Sequence, residues 1–131
     1  MGILNSIFGK SESNNEIELK LNWKRLEKLE QLDSIPQLSN EKPILIFKHS
    51  TRCVISKMAL KQFENEFNFG DRVEVYFLDL LNYREISNEI ASRFDVYHQS
   101  PQLILIQNGK AIYDASHQEI SANKLEVFLS N

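Results

Sequence analysis

The sequence predicts one α/β domain, a central mixed β-sheet with helices on both faces. Three observations carry that prediction. Two apolar runs, ILIF at 44–47 and VEVYFLDL at 73–80, are each followed by residues of helical periodicity, the pattern of a βαβα unit with buried parallel strands. A later pair of apolar runs is joined by Asn108-Gly109, a pair favoured in two-residue hairpins because both turn positions need positive φ. Finally, 131 residues that are 42% apolar, with eight Phe, suffice for a single core.

The elements follow in order. Residues 1–16 read as a flexible or peripheral tail and 17–131 as the domain, because GKSESNNE at 9–16 is polar and turn-rich. Within the tail, Gly2 and Ser6 match the loose N-myristoylation pattern, and Ile3, Leu4, Ile7 and Phe8 form an apolar cluster. In EIELKLNW, Ile17, Leu19, Leu21 and Trp23 alternate with polar residues, which predicts a half-buried strand. Leu26, Leu29 and Leu32 recur every third residue and predict a short helix that Pro36 kinks or ends.

Pro43 introduces the first buried strand at 44–47. A helix follows, with Ile55, Met58, Ala59, Phe63 and Phe67 as its apolar positions and Gly70 as its stop. The second buried strand, 73–80, has Arg72 and Asp79 as polar ends. It leads into a helix over 83–94, where Ile86, Ile90 and Phe94 stand four apart. Strands at 102–107 and 110–115 form the hairpin. A last helix is expected from Ser121, as its cap, to Leu129, with Leu125, Phe128 and Leu129 inward.

Composition narrows the function. Fifteen Lys and Arg against 18 Asp and Glu leave no broad basic field, so neither nucleic acid nor an acidic membrane surface is an expected partner. No window has the roughly 18 to 20 apolar residues of a membrane span, and the N-terminus lacks a signal peptide's basic and apolar regions. A cytoplasmic location is expected, and a lone cysteine agrees with it. His49, His98 and His117 lack paired ligand spacing, so no metal site is predicted, and the four glycines form no phosphate loop.

The chemistry concentrates in KHSTRCVISK, residues 48–57, where the only cysteine falls at the start of the helix after the first buried strand. A helix N-terminus presents free N–H groups and the positive dipole end, both of which favour a thiolate. Arg52 is adjacent, and Lys48 and His49 lie upstream as further positive potential. Thr51 and Ser56 place hydroxyls nearby, and the Ser56 hydroxyl can serve either the thiolate or its own backbone. Ser100-Pro101 comes immediately before the hairpin, with His98 and Gln99 ahead of it as candidate groove residues. A buried, inert core cysteine is the alternative reading of Cys53.

The element order is similar to that of the thioredoxin fold, in which these two points face each other across the active site. More specifically, IFKHSTRCVIS, with Trp23 upstream and SPQLILIQNGK downstream, resembles the monothiol bacilliredoxins over roughly residues 23–129. These are YtxJ-like, thioredoxin-fold proteins of bacteria that use bacillithiol. The resemblance puts the reactive cysteine on Cys53, Ser56 where a CxxC motif has its second cysteine, and the groove proline on Pro101. An average X-Pro bond is trans, and only the resemblance implies a cis bond there. Many members carry Pro directly after the cysteine, where this chain has Val54.

Without a second cysteine no intramolecular disulfide forms, so a dithiol cycle is excluded and the chemistry runs through mixed disulfides. The resemblance implies a monothiol disulfide oxidoreductase that takes a low-molecular-weight thiol, bacillithiol, off S-thiolated client proteins. No bound cofactor is expected; bacillithiol or another such thiol would be the co-substrate. A non-catalytic adaptor or thiol sensor modified at Cys53 is the reading from another class.

Overall fold

The computed structural model describes residues 18–129, so the tail, with its myristoylation pattern, and Ile17 lie outside the described residues. The domain is built on a five-stranded mixed sheet: β1 (Lys24–Arg25), β2 (Ile44–His49), β3 (Glu74–Asp79), β4 (Gln102–Gln107) and β5 (Lys110–Ser116). Their order is β1-β3-β2-β4-β5. β1, β3 and β2 run parallel, β4 pairs antiparallel to β2, and β5 pairs antiparallel to β4. Helices α1 (Glu30–Leu38), α2 (Val54–Glu66), α3 (Arg84–Phe94) and α4 (Glu126–Leu129) complete it.

Two cores lie on the two faces of this sheet. Leu45 and Phe47 of β2 join Leu60 and Phe63 of α2 and Leu125 and Leu129 on one face. Ile44 and Ile46 join Leu32 and Ile35 of α1 and Ile86, Ile90 and Phe94 of α3 on the other. The alternation follows from the two-residue strand period, and burial on both faces explains why ILIF carries no polar residue. The expected hairpin is present, with Asn108 at φ 54° and Gly109 at φ 80°. Ser39 holds its turn, accepting from Asn108 N–H through its carbonyl and from Gly109 N–H through Oγ.

Four expectations change. The strand expected over Ile17–Trp23 does not form at the described residues 18–23, and a two-residue strand, Lys24–Arg25, follows them instead. Residues 20–23 instead lie along α2, where one carboxylate oxygen of Glu64 accepts from Lys20 N–H, Leu21 N–H and Trp23 Nε1–H at 2.8, 3.3 and 2.7 Å. Leu19, Leu21 and Trp23 thereby reach the core without a ladder. In α1, Pro36 is internal, and the helix runs two residues past it to Leu38.

The inward face of α2 is also rotated from expectation. Ser56, Leu60, Phe63 and Glu64 are buried, whereas Val54, Ile55 and Met58 are 67%, 47% and 66% exposed. The helix closes at Glu66, short of Gly70. Finally, the last helix begins as a 3-10 turn, Ala122–Leu125, before α4. Ser121 does not cap it; its hydroxyl donates to Glu66, whose same oxygen accepts Ala122 N–H.

Candidate active site

β2 ends at His49, and Ser50 to Cys53 make a tight turn in which Cys53 N–H donates to Ser50 C=O at 3.2 Å. Cys53 is the N-cap of α2, with extended backbone (φ −108°, ψ 121°), and its carbonyl accepts Lys57 N–H. No side chain caps this helix and its first turn carries no acid. The half-buried cysteine therefore stands at a helix end whose first N–H groups no capping side chain or first-turn acid engages among the described residues. Thr51 is half-buried within the turn, and Arg52 is exposed beside the cysteine.

The β2–β4 register pairs Lys48 with Gln102 and Phe47 with Leu103. Continued past the ladder, it sets Pro101 alongside His49 and Ser100 alongside Ser50. The two sequence features singled out, the cysteine turn and the Ser100-Pro101 pair, thus flank one end of the sheet. The Ser100–Pro101 peptide is cis, and Pro101 C=O accepts His117 N–H. Ser100 Oγ is buried with no hydrogen-bond partner among the described residues.

Ser56 has partners of its own. It is fully buried; its Oγ accepts Ser50 N–H at 3.0 Å and lies 2.8 Å from His49 Nδ1. The hydroxyl is thus turned toward β2 and the cysteine turn. Burial, with a smaller push from Lys57 against the pull of Asp79, takes His49 down to about 4. At neutral pH this histidine is an uncharged polar tie beneath the turn, not the added positive potential expected from sequence. Lys48 points to the opposite face, fully buried, and burial lowers it to about 8.

Sequence reasoning undervalued these two. Lys48 and His49 follow ILIF directly, and sequence offers them only as positive potential upstream of the cysteine. Their burial depends on Ser87, His98 and Ser56, residues distant in sequence from at least one of them. A separate depression lined by Glu27, Asp33, Tyr83, Arg84 and Arg93 lies between α1 and α3, on the sheet face opposite α2, and contains no thiol. No group of three or more metal-ligating side chains occurs among the described residues.

Comparisons with known proteins bear on the fold and family of the chain that carries this single thiol and cis-proline. The family profile described as Monothiol bacilliredoxin BrxC matches residues 24–125. This chain belongs to that monothiol bacilliredoxin family. A solved structure described provisionally as an oxidoreductase with a thioredoxin fold is similar at 29% identity and TM-score 0.66, over 79% of this chain and 89% of that one. Thioredoxin O2 of Arabidopsis thaliana matches at 15% identity and TM-score 0.65, over 82% and 95% of the two chains. The thioredoxin of Malassezia sympodialis matches at 19% and 0.60, over 88% and 94%. The last two show the fold alone. The bacilliredoxin thus has a thioredoxin fold and a thiol redox function. No helix among its described residues is long and apolar enough to cross a membrane.

Proposed function

We propose that this bacilliredoxin removes a low-molecular-weight thiol, bacillithiol by family, from mixed disulfides on client proteins. The observation that carries the reading is the position of the chain's one thiol, Cys53, as N-cap of α2 with no second cysteine to resolve it. Attack of the Cys53 thiolate on the bacillithiol sulfur forms a Cys53–bacillithiol disulfide and breaks the client's, releasing the client thiolate. A second thiol then attacks that bacillithiol sulfur, its electron pair reduces Cys53 and a disulfide of the two small thiols leaves. Cys53 is a thiolate at both ends of this cycle, at the end of α2 where the helix dipole is positive, and Thr51 and Arg52 precede it in the turn. The exposed apolar residues Val54, Ile55 and Met58 supply a surface suited to a protein client, in a cytoplasmic setting where thiols stay reduced.

The test is intact-mass analysis after exposure to bacillithiol disulfide, beside Cys53→Ala, followed by a bacillithiolated client. A single adduct absent from Cys53→Ala, with catalytic release of the client thiol, is the expected result. No adduct on Cys53 overturns the reading. An adduct without client release favours the sensor, and equal turnover with glutathione or coenzyme A disulfides overturns the bacillithiol assignment.

A further inference from the structure

Beside the reaction site stand two buried polar side chains that thiol exchange does not use. Lys48 on β2 and Gln102 on β4 are register partners, 0% and 1% exposed. Lys48 Nζ donates to Ser87 C=O at 3.2 Å and to His98 Nδ1 at 3.3 Å, and Ser87 Oγ lies 3.2 Å from the same ring nitrogen. Because an ammonium only donates, His98 Nδ1 accepts and its ring proton sits on Nε2. Gln102 uses both ends of its amide: Nε2 donates to Tyr97 C=O at 2.8 Å, and Oε1 accepts Gln99 N–H at 3.4 Å.

Three consecutive residues are therefore held from beneath, Tyr97 by its carbonyl, His98 by its ring and Gln99 by its N–H. They lead directly into Ser100 and Pro101. The outer side of the segment is open, with Tyr97 91% exposed. A buried lysine with no carboxylate partner is a costly way to fill this position. Ile44 and Ile46 on the same strand face show that apolar side chains pack there. What the lysine adds is reach and donors for the loop.

We propose that Lys48 and Gln102 are positioning residues of the exchange reaction, holding residues 97–99, and through them Ser100 and Pro101, in the geometry that receives a mixed-disulfide substrate beside Cys53. This rests on the thiol-exchange reading above. The charged groups that face His98 are Lys48 from β2 and Arg84 from α3; together with burial, the largest cause, they hold it below the ordinary histidine range. His98 is therefore a reporter of the contact.

The experiment combines kinetics in wild type, Lys48→Met, His98→Ala and the double variant with NMR titration of the His98 ring in wild type and Lys48→Met. Lys48→Met keeps side-chain length, and His98→Ala changes an exposed residue, so both fold. Each single variant is expected to raise KM for a bacillithiolated client by about tenfold with kcat near wild type. The double variant should be no worse than His98→Ala, which removes the Lys48 contact together with that of Ser87 Oγ. His98 in Lys48→Met should titrate at higher pH than in wild type. Gln102→Leu, acting on Tyr97 and Gln99, should raise KM in the same way. Unchanged KM in the single variants, additive effects in the double, or an unshifted His98 titration beside normal wild-type turnover overturns the proposal alone. A wild-type protein that turns over no mixed disulfide fails the exchange reading first, and this one with it.

Discussion

Ser56 Oγ lies 2.8 Å from His49 Nδ1 and accepts Ser50 N–H at 3.0 Å, so one buried hydroxyl joins the end of β2, the cysteine turn and the first turn of α2. The position that in a dithiol motif would carry the resolving sulfur is here a structural tie. Ser56→Ala leaves the Ser50 N–H and the His49 ring nitrogen without this partner in the interior. A loss of about 1–3 kcal/mol is expected, read from urea denaturation, and Cys53 alkylation should change in rate because its turn is no longer fixed. Wild-type stability with an unchanged alkylation rate would show that the tie has no such role.

His49 also sets an acid limit. Its folded-state value of about 4 lies below the ordinary 6.5, so between those pH values the unfolded chain binds a proton that the native chain refuses. Stability is therefore full above 6.5 and falls as pH drops toward 4. The difference corresponds to about 3 kcal/mol. His98, depressed in the same direction, adds to that limb. Denaturation midpoints measured from pH 7 to 4 should fall less steeply for His49→Phe than for wild type; parallel curves would refute the assignment.

Lys48 gives the opposite limb. With a folded value of about 8 against 10.5, its charged form carries a desolvation cost at all pH below 8. That cost is relieved as pH rises from 8 to 10.5, where the unfolded chain keeps a proton that the native chain has lost. Lys48→Met should therefore be more stable than wild type at pH 7, by about 1–3 kcal/mol, and the gap should close toward pH 10.5. Thermal melts at both pH values check this. A variant stabilised at pH 7 yet weakened in substrate binding would separate the lysine's role in function from its role in the fold.

Much of this fold was legible because its signals are local. ILIF, VEVYFLDL and Asn108-Gly109 each state their structure within a few residues, and the lone cysteine after ILIF located the candidate site. What escaped depends on partners distant in sequence. EIELKLNW alternates as a strand does, but Glu64, 41 residues beyond Trp23, captures its N–H groups and lays it on α2. The apolar face of α2 was misread because Ile55 and Met58 fit a helical repeat as well as Leu60 and Phe63 do. Only packing against β2 decides which face turns inward. Lys48 was expected to add positive potential near Cys53, because sequence cannot show that Ser87 and His98 close over it on the opposite face.

Glu64 supplies a separate test of the N-terminal arm. Its Oε2 satisfies two backbone N–H groups and the Trp23 indole at once, and the indole packs edge-on against Phe47 and Phe77 at 6.0 Å. Glu64→Leu removes all three acceptor contacts and should cost about 2–4 kcal/mol, with Trp23 fluorescence shifting to the red as the arm lifts. Glu64→Gln keeps an acceptor oxygen and should lose less. Equal losses, or an unmoved Trp23 spectrum in Glu64→Leu, would mean that apolar packing alone holds the arm.

The exposed side of α2 should separate protein clients from small disulfides. Val54, Met58 and Lys61 stand four and three residues apart, with Ile55 and Lys57 beside them, all exposed and one to eight residues from Cys53. A small disulfide reaches the sulfur at the helix end and has no need of this stripe; a folded client docking its mixed disulfide there must cover it. Met58→Glu replaces an apolar side chain, 66% exposed, by a charge about one and a half turns from the cysteine. KM for a bacillithiolated protein should rise by about five- to tenfold, the scale of one lost apolar contact, while the rate constant with bacillithiol disulfide stays within about twofold of wild type. Parallel losses on both substrates would show that the charge acts on Cys53 itself, and no loss on either would place the client elsewhere on the sheet end.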